Sequence, residues 1–230
     1  MPFAEQDNLH RVGTDGQIDV ITQQQREGAV VRDQTPADIF VCPSRRGVQL
    51  YPIGTYPYPG NNSIANIPEI SRLDYAACVG DGFVQFSQPT NWNSAINSFQ
   101  WPDALAVSTG ISFQRSEISI ADVSDGTSNT YAVGEKYLNP LSYFDGSDFT
   151  DTESIYSGNN DDTLRSTRLP PLQDQPGIGF TDRYGGPHPG VFIMAFCDGS
   201  TRGVSFSVDE EVHQFLGARN DGQNVNGNSL

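Results

Sequence analysis

The strongest apolar run in the chain is VFIMAFC at 191–197, which stops at Asp198-Gly199 and is followed by STRGVSF. An Asp-Gly pair between apolar runs predicts a β-hairpin, because a two-residue turn needs positive φ and glycine adopts it without strain. With Asp198 and Gly199 as the turn, Cys197 faces Ser200, Ala195 faces Arg202, Ile193 faces Val204 and Val191 faces Phe206. Phe196, Met194 and Phe192 then face Thr201, Gly203 and Ser205, large residues against small ones. Apolar residues on both faces of the first strand place it inside a sheet, covered on both sides. His188 lies ten positions before Asp198, on the order of 30 Å along a straight strand. The two therefore mark opposite ends of one element and form no dyad within it.

Weaker patterns fill in the rest. Alternation in TYAVGEKYL, 130–138, predicts a strand with Tyr131, Val133, Glu135 and Tyr137 on one face and Lys136 on the other. LDYAACVG, 73–80, predicts a core strand, and ISFQR, 111–115, another. VDEEVHQFLGARND, 208–221, predicts a terminal helix with Val212, Phe215 and Leu216 inward and Gly217 near its end. Residues 2–12 predict a short helix with Phe3 and Leu9 inward, and residues 16–32 a weak helix ending at Gly28. Pro52, Pro57, Pro59 and Pro68 make 47–71 a loop. Residues 81–110, with Trp92 and Trp101, form a loop packed by its own aromatics, and 141–176 is polar. Nothing marks a second domain or a repeat. The expectation is one domain over 1–230, α+β, with an antiparallel sheet and long loops.

Composition narrows the function. The 28 acidic residues outnumber the 13 basic ones, giving a net charge of −15. That field repels nucleic-acid backbones and anionic membrane surfaces, and suits an exported protein or one that meets divalent cations. There is a single lysine, Lys136, and no clustered basic patch. Three cysteines without a CxxC pair, and only three histidines, do not suit a structural zinc site. The cysteine count allows one disulfide, Cys42 to Cys78, in an oxidising compartment. Cys197, at the end of a core strand, reads as a small buried hydrophobe. No apolar stretch approaches the length of a membrane span, and MPFAEQDNLH has neither the basic nor the apolar region of a signal peptide.

The motifs offer little chemistry. There is no G-x-S-x-G elbow and no H-E-x-x-H, so no nucleophile and base are set together, and the chain is expected not to be an enzyme. His188, in GGPHPG, reads as a strand-entry residue bonded to a carbonyl, and Asp125 and Asp198 as turn residues. Asp145, Asp148, Asp151, Asp161 and Asp162, in FDGSDFTDTE and NNDD, supply oxygens of the kind calcium takes, without EF-hand spacing. A solvated acidic loop is the competing reading. Trp92, Trp101 and the tyrosines of YPIGTYPYPG offer a stacking platform for a glycan, although loop packing uses the same rings.

FVCPSRR at 40–46, DVSDGTSNTYAVGEK at 122–136, HPGVFIMAFCDGS at 188–200 and VDEEVHQFLGARNDG at 208–222 occur in this order. Together they resemble a bacterial pilin-like family with a prepilin-type N-terminal segment and a C-terminal His-x9-Asp-Gly element. The family motif falls here on His188, Asp198 and Gly199, with Asp125, Gly126, Thr127, Ser128, Asn129 and Glu135 in the central box. The resemblance implies a type IV pilin-like globular domain, its N-terminal helix missing, truncated or encoded upstream. It implies an exported, non-enzymatic structural subunit of a bacterial cell-surface filament, assembling with copies of itself. Membrane contact would run only through the absent helix. The alternatives are a pseudopilin of a type II secretion-like system, for which the resemblance implies a calcium-stabilised loop, and a calcium- or glycan-binding surface protein.

Overall fold

The computed structural model describes residues 5–53, 67–82, 87–89, 92–179, 182–223 and 225. The fold is α+β. Its residues fall into two compact units, each discontinuous in sequence. One comprises 1–75, 138–158 and 174–181, the other 76–137, 159–173 and 182–230.

The first unit carries helices α1 (Asp7–Arg11) and α2 (Gln23–Asp33) and the short antiparallel strands β1 (Tyr51–Pro52) and β2 (Glu69–Ile70). Thr22 opens α2 with a capping box: its hydroxyl accepts from Gln25 N at 3.2 Å, and Gln25 Oε1 accepts from Thr22 N at 3.4 Å. The helix does not end at Gly28. It runs through it, because Gly28 is where α2 meets the backbone of Gly13, and a Cβ there would lie 2.3 Å from Gly13 Cα. Gly28→Ala gains helix propensity but drives carbon into main chain. The steric cost wins, and denaturant unfolding should show a net loss of about 1–3 kcal/mol. A neutral or stabilising substitution would show that the two backbones separate freely. Leu9 is buried in α1, and Phe3 lies outside the described residues.

The polar heart of this unit is a set of three arginines and three aspartates. Arg46 grips Asp151 through both terminal nitrogens, and its Nη2 also lies 2.7 Å from Asp74. Arg72 Nη1 meets the same Asp151 carboxylate at 3.1 Å, and Arg45 bridges Asp74 at 3.2 Å and Asp174 at 3.0 Å. The ring of Tyr51 lies under the guanidinium groups of Arg46 and Arg72, at 5.0 and 5.7 Å. All six charged side chains are sealed from solvent. The acidic stretch that reads as a solvated loop is therefore partly interior, since Asp148 and Asp151 are buried.

The second unit holds a five-stranded sheet in the order β5-β3-β4-β8-β9, with β3 (Tyr75–Cys78), β4 (Tyr131–Glu135), β5 (Leu164–Arg165), β8 (Val191–Phe196) and β9 (Thr201–Ser205). β6 (Leu172–Gln173) and β7 (Gly185–Gly186) pair separately, in parallel. The sheet is mixed, not antiparallel throughout: β3 and β5 run parallel, while β8 pairs antiparallel with both β4 and β9. Helix α3 (Trp92–Asn97) interrupts the stretch expected as loop, and ISFQR forms a turn instead of a strand. Helix α4 (Glu210–Gly217) is capped by Asp209, whose carboxylate accepts from Glu211 N and Val212 N. It buries Leu216 and also His213.

The hairpin exists, one residue out of the expected register. Ala195 pairs with Thr201, Ile193 with Gly203 and Phe192 with Val204. Gly199 N donates to Phe196 O, Phe196 N donates to Ser200 O, and Gly199 has φ +83°. The loop thus has three residues, Cys197, Asp198 and Gly199, with glycine in the left-handed position. Phe192, Met194 and Phe196 all point into the core, where Tyr131, Tyr184, Val204 and Leu216 meet them. Val191, Ile193 and Ala195 are half-buried on the other face. A register irregularity between Tyr131 and Val133 breaks the alternation expected of β4. Tyr131 is fully buried and Val133 is 41 % exposed.

The expected disulfide between Cys42 and Cys78 is not present. Cys78 has local partners instead: its Sγ donates to Gly217 O at 3.7 Å and accepts from Gly80 N at 3.4 Å.

Candidate functional site

The residues singled out in DVSDGTSNTYAVGEK and HPGVFIMAFCDGS meet along the β4–β8 pair, at both of its ends. At one end Glu135 closes β4. Its Oε1 lies 3.1 Å from His188 Nε2 and its Oε2 accepts from Ile193 N at 2.8 Å. The histidine thus bonds a carboxylate. Gly186 leaves room for it, since a Cβ there would come within 2.7 Å of Glu135 Oε2. Glu135 is buried and His188 is half-buried.

At the other end the Asp-Gly-Thr-Ser-Asn-Thr box receives the hairpin loop. Asp198 N donates to Thr127 O at 3.0 Å, and Cys197 N donates to Thr130 O at 2.9 Å. The box holds its own shape. Gly126 takes φ +100°, Asn129 N donates to Gly126 O, and the Thr130 hydroxyl donates to the same carbonyl. Asp125 reaches the segment after α4, accepting from Asp221 N at 2.6 Å and Gly222 N at 3.0 Å. Ser128 is exposed. The Ser200 side chain, and then Ser200 N at 2.8 Å, hold the Asp198 carboxyl below the usual aspartate range by hydrogen bonding within the loop.

These contacts are structural in kind. Removing Glu135 would strip both Ile193 N and His188 of an acceptor in a buried place. Glu135→Ala should lose about 1–3 kcal/mol and speed amide exchange at Ile193 in particular. Unaltered protection of that amide would show that the carboxylate is dispensable there.

The thiols are poor nucleophiles. Burial, with Asp198 beside it, pushes Cys197 up to about 11, and burial pushes Cys78 up to about 12. Both stay protonated near neutrality. His213 is enclosed by Tyr131, Tyr184 and Phe192, with Nδ1 3.4 Å from the Tyr131 hydroxyl. Burial pushes its imidazole down to about 3. Sequence patterning missed this residue, because a histidine inside DEEVHQFL looks like part of the wet face.

The aspartates expected to hold calcium are placed separately. Asp145 is exposed and accepts from Ser147 N and Oγ. Asp148 caps the turn at Thr150, accepting from its N and Oγ1 at 3.0 Å. Asp151 is engaged by Arg46 and Arg72. Asp161 is half-buried, and burial raises its carboxyl above the usual value. The main-chain carbonyl of Asp162 accepts from Lys136 Nζ at 3.1 Å. Among the described residues, no three of these five carboxylates converge on one point. Of the aromatics, Trp101 packs edge-on to Phe99 at 5.0 Å and donates its indole N–H to Ala95 O. Tyr56, Tyr58 and the side chain of Trp92 lie outside the described residues.

Comparison with known families finds one match, to the family described as a protein of unknown function (DUF1559), over residues 1–211. No curated protein matches the chain, and no solved structure matches it.

Proposed function

The chain belongs to that family, and from this we propose that it is the globular part of a pilin-like structural subunit, exported to the bacterial cell surface and assembling with copies of itself. The observation that carries the reading is the double clamp on β4 and β8. Glu135 and His188 close one end, and Thr127, Thr130, Cys197 and Asp198 close the other. Side chains do this at the Glu135–His188 end and main-chain bonds at the other, so both motifs are engaged in holding the strands together, which supports a structural role. The thiols are protonated near neutrality and the histidine beside β8 is paired with a buried carboxylate, so this region favours a non-enzymatic role. Subunits joined head to tail generate an open filament when the repeated rotation does not close.

Electron microscopy of sheared surface material, with antibody raised against the purified chain, tests the proposal. Decoration along fibres is the expected result. Short assemblies confined to the cell envelope would point to the pseudopilin form of the same reading. Antigen found only as cytoplasmic monomer would overturn it.

A further inference from the structure

On the second unit a cavity of about 820 Å³ opens beside the turn Phe113–Ser116, in the size range of small-molecule sites. The turn is closed by Ser116 N donating to Phe113 O at 2.9 Å. Its third residue is Arg115, held at φ +60° in the left-handed region that turns normally give to glycine or asparagine. Strained backbone of this kind gathers at binding sites. Here it sets an exposed guanidinium at the cavity wall, 5.1 Å above the ring of Trp101, with no hydrogen bond to the described residues. Arg219 lines the same cavity and is only 6 % exposed. Its Nη1 is fixed by Ser108 O and Gly110 O, both at 2.7 Å, and its guanidinium lies over Phe113. Nε and Nη2 donate to no acceptor among the described residues.

The rest of the lining decides the ligand. Glu117 and Asp122 face the cavity too. Ser119 bonds only Oδ2 of Asp122, leaving Oδ1 open. Leu105 and Ile118 supply apolar wall. A bare anion would meet the arginines but also two carboxylates, on a chain of net charge −15. An apolar ligand would leave Arg115 and Glu117 without a polar partner in the cavity, and a cation would face both guanidinium groups. We propose that this cavity binds an acidic saccharide, a sugar ring carrying a carboxylate. The carboxylate meets Arg115 and Arg219, for which the planar fork of the guanidinium is suited. The hydroxyls donate to Glu117 and Asp122, and the C–H face of the ring lies on Leu105 and Ile118.

Calorimetric titration of the purified chain with a glucuronate-containing disaccharide tests this, beside the matched neutral disaccharide and acetate alone. Saturable binding of the acidic sugar is expected in the millimolar range or tighter, with both controls weaker by about tenfold. Arg115→Gln should abolish most of the binding with the circular dichroism spectrum unchanged. Arg115→Gly should lose binding equally while raising the melting temperature, because it relieves the turn. No saturable binding, equal binding of the neutral sugar, or full binding by either variant would overturn the proposal. The titration uses dispersed protein, so its failure leaves the assembly reading intact.

Discussion

Asp151→Asn lowers the free energy of unfolding by about 3–5 kcal/mol, the loss expected when one partner of a buried ion pair is neutralised. Three arginines and three aspartates balance in the first unit, and Asp151 is the carboxylate shared by Arg46 and Arg72. Asparagine keeps the shape and one acceptor, but leaves an uncompensated positive charge in a place water does not reach. The substitution differs in this from Asp145→Asn a few residues earlier, where the carboxylate is exposed and is bonded by Ser147. That change should fall within about 0.5 kcal/mol of the parent. Urea unfolding of the two variants gives the comparison. Similar midpoints would show that the arginines find other acceptors or that solvent enters the cluster.

The second large effect concerns acid. Burial holds His213 neutral, with a folded-state value of about 3 against 6.5 for an ordinary histidine. The unfolded chain therefore takes up the proton first. The stability this residue contributes is fully present above pH 6.5 and is lost as pH falls from there toward 3. By pH 5 the loss amounts to about 2 kcal/mol, at roughly 1.4 kcal/mol for each pH unit. The groups packed on the imidazole are Tyr131, Tyr184 and Phe192, none of which titrates in that window. Elsewhere Asp33, Asp161 and Asp174 have carboxyls raised by burial, which favours the folded state as acid is added. The total profile is consequently a mixture, and the difference between the parent and His213→Phe isolates the histidine. That difference should grow steadily below pH 6.5. Parallel curves down to pH 4 would mean that the imidazole is protonated in the folded protein.

The sequence announces the hairpin through Asp198-Gly199 and the run before it, and announces α4 through spacing. It does not announce the turn length. Cys197 N and Asp198 N are taken by the carbonyls of Thr130 and Thr127, some seventy positions earlier. A partner that distant adds a residue to the loop and shifts every pair along β9. The irregularity after Tyr131 is hidden in the same way, since TYAVGEKYL alternates well enough to pass for a regular strand. The clamp of His188 on Glu135 was half visible: both residues stand in the motifs, but nothing local says that they touch. Least legible of all was the arginine cluster. Arg45 and Asp174 are 129 positions apart, so a window sliding along the chain sees a loop with two arginines and, much later, a stretch of loose acid.

That separation has a consequence for synthesis. A ribosome adds about 5–20 residues per second, so roughly ten seconds pass between the emergence of Arg45 and that of the aspartate it meets. Through that interval Asp74 is at hand, but two of the three carboxylates of the cluster, Asp151 and then Asp174, have yet to be made. No shortened version ending before Asp174 can complete the cluster.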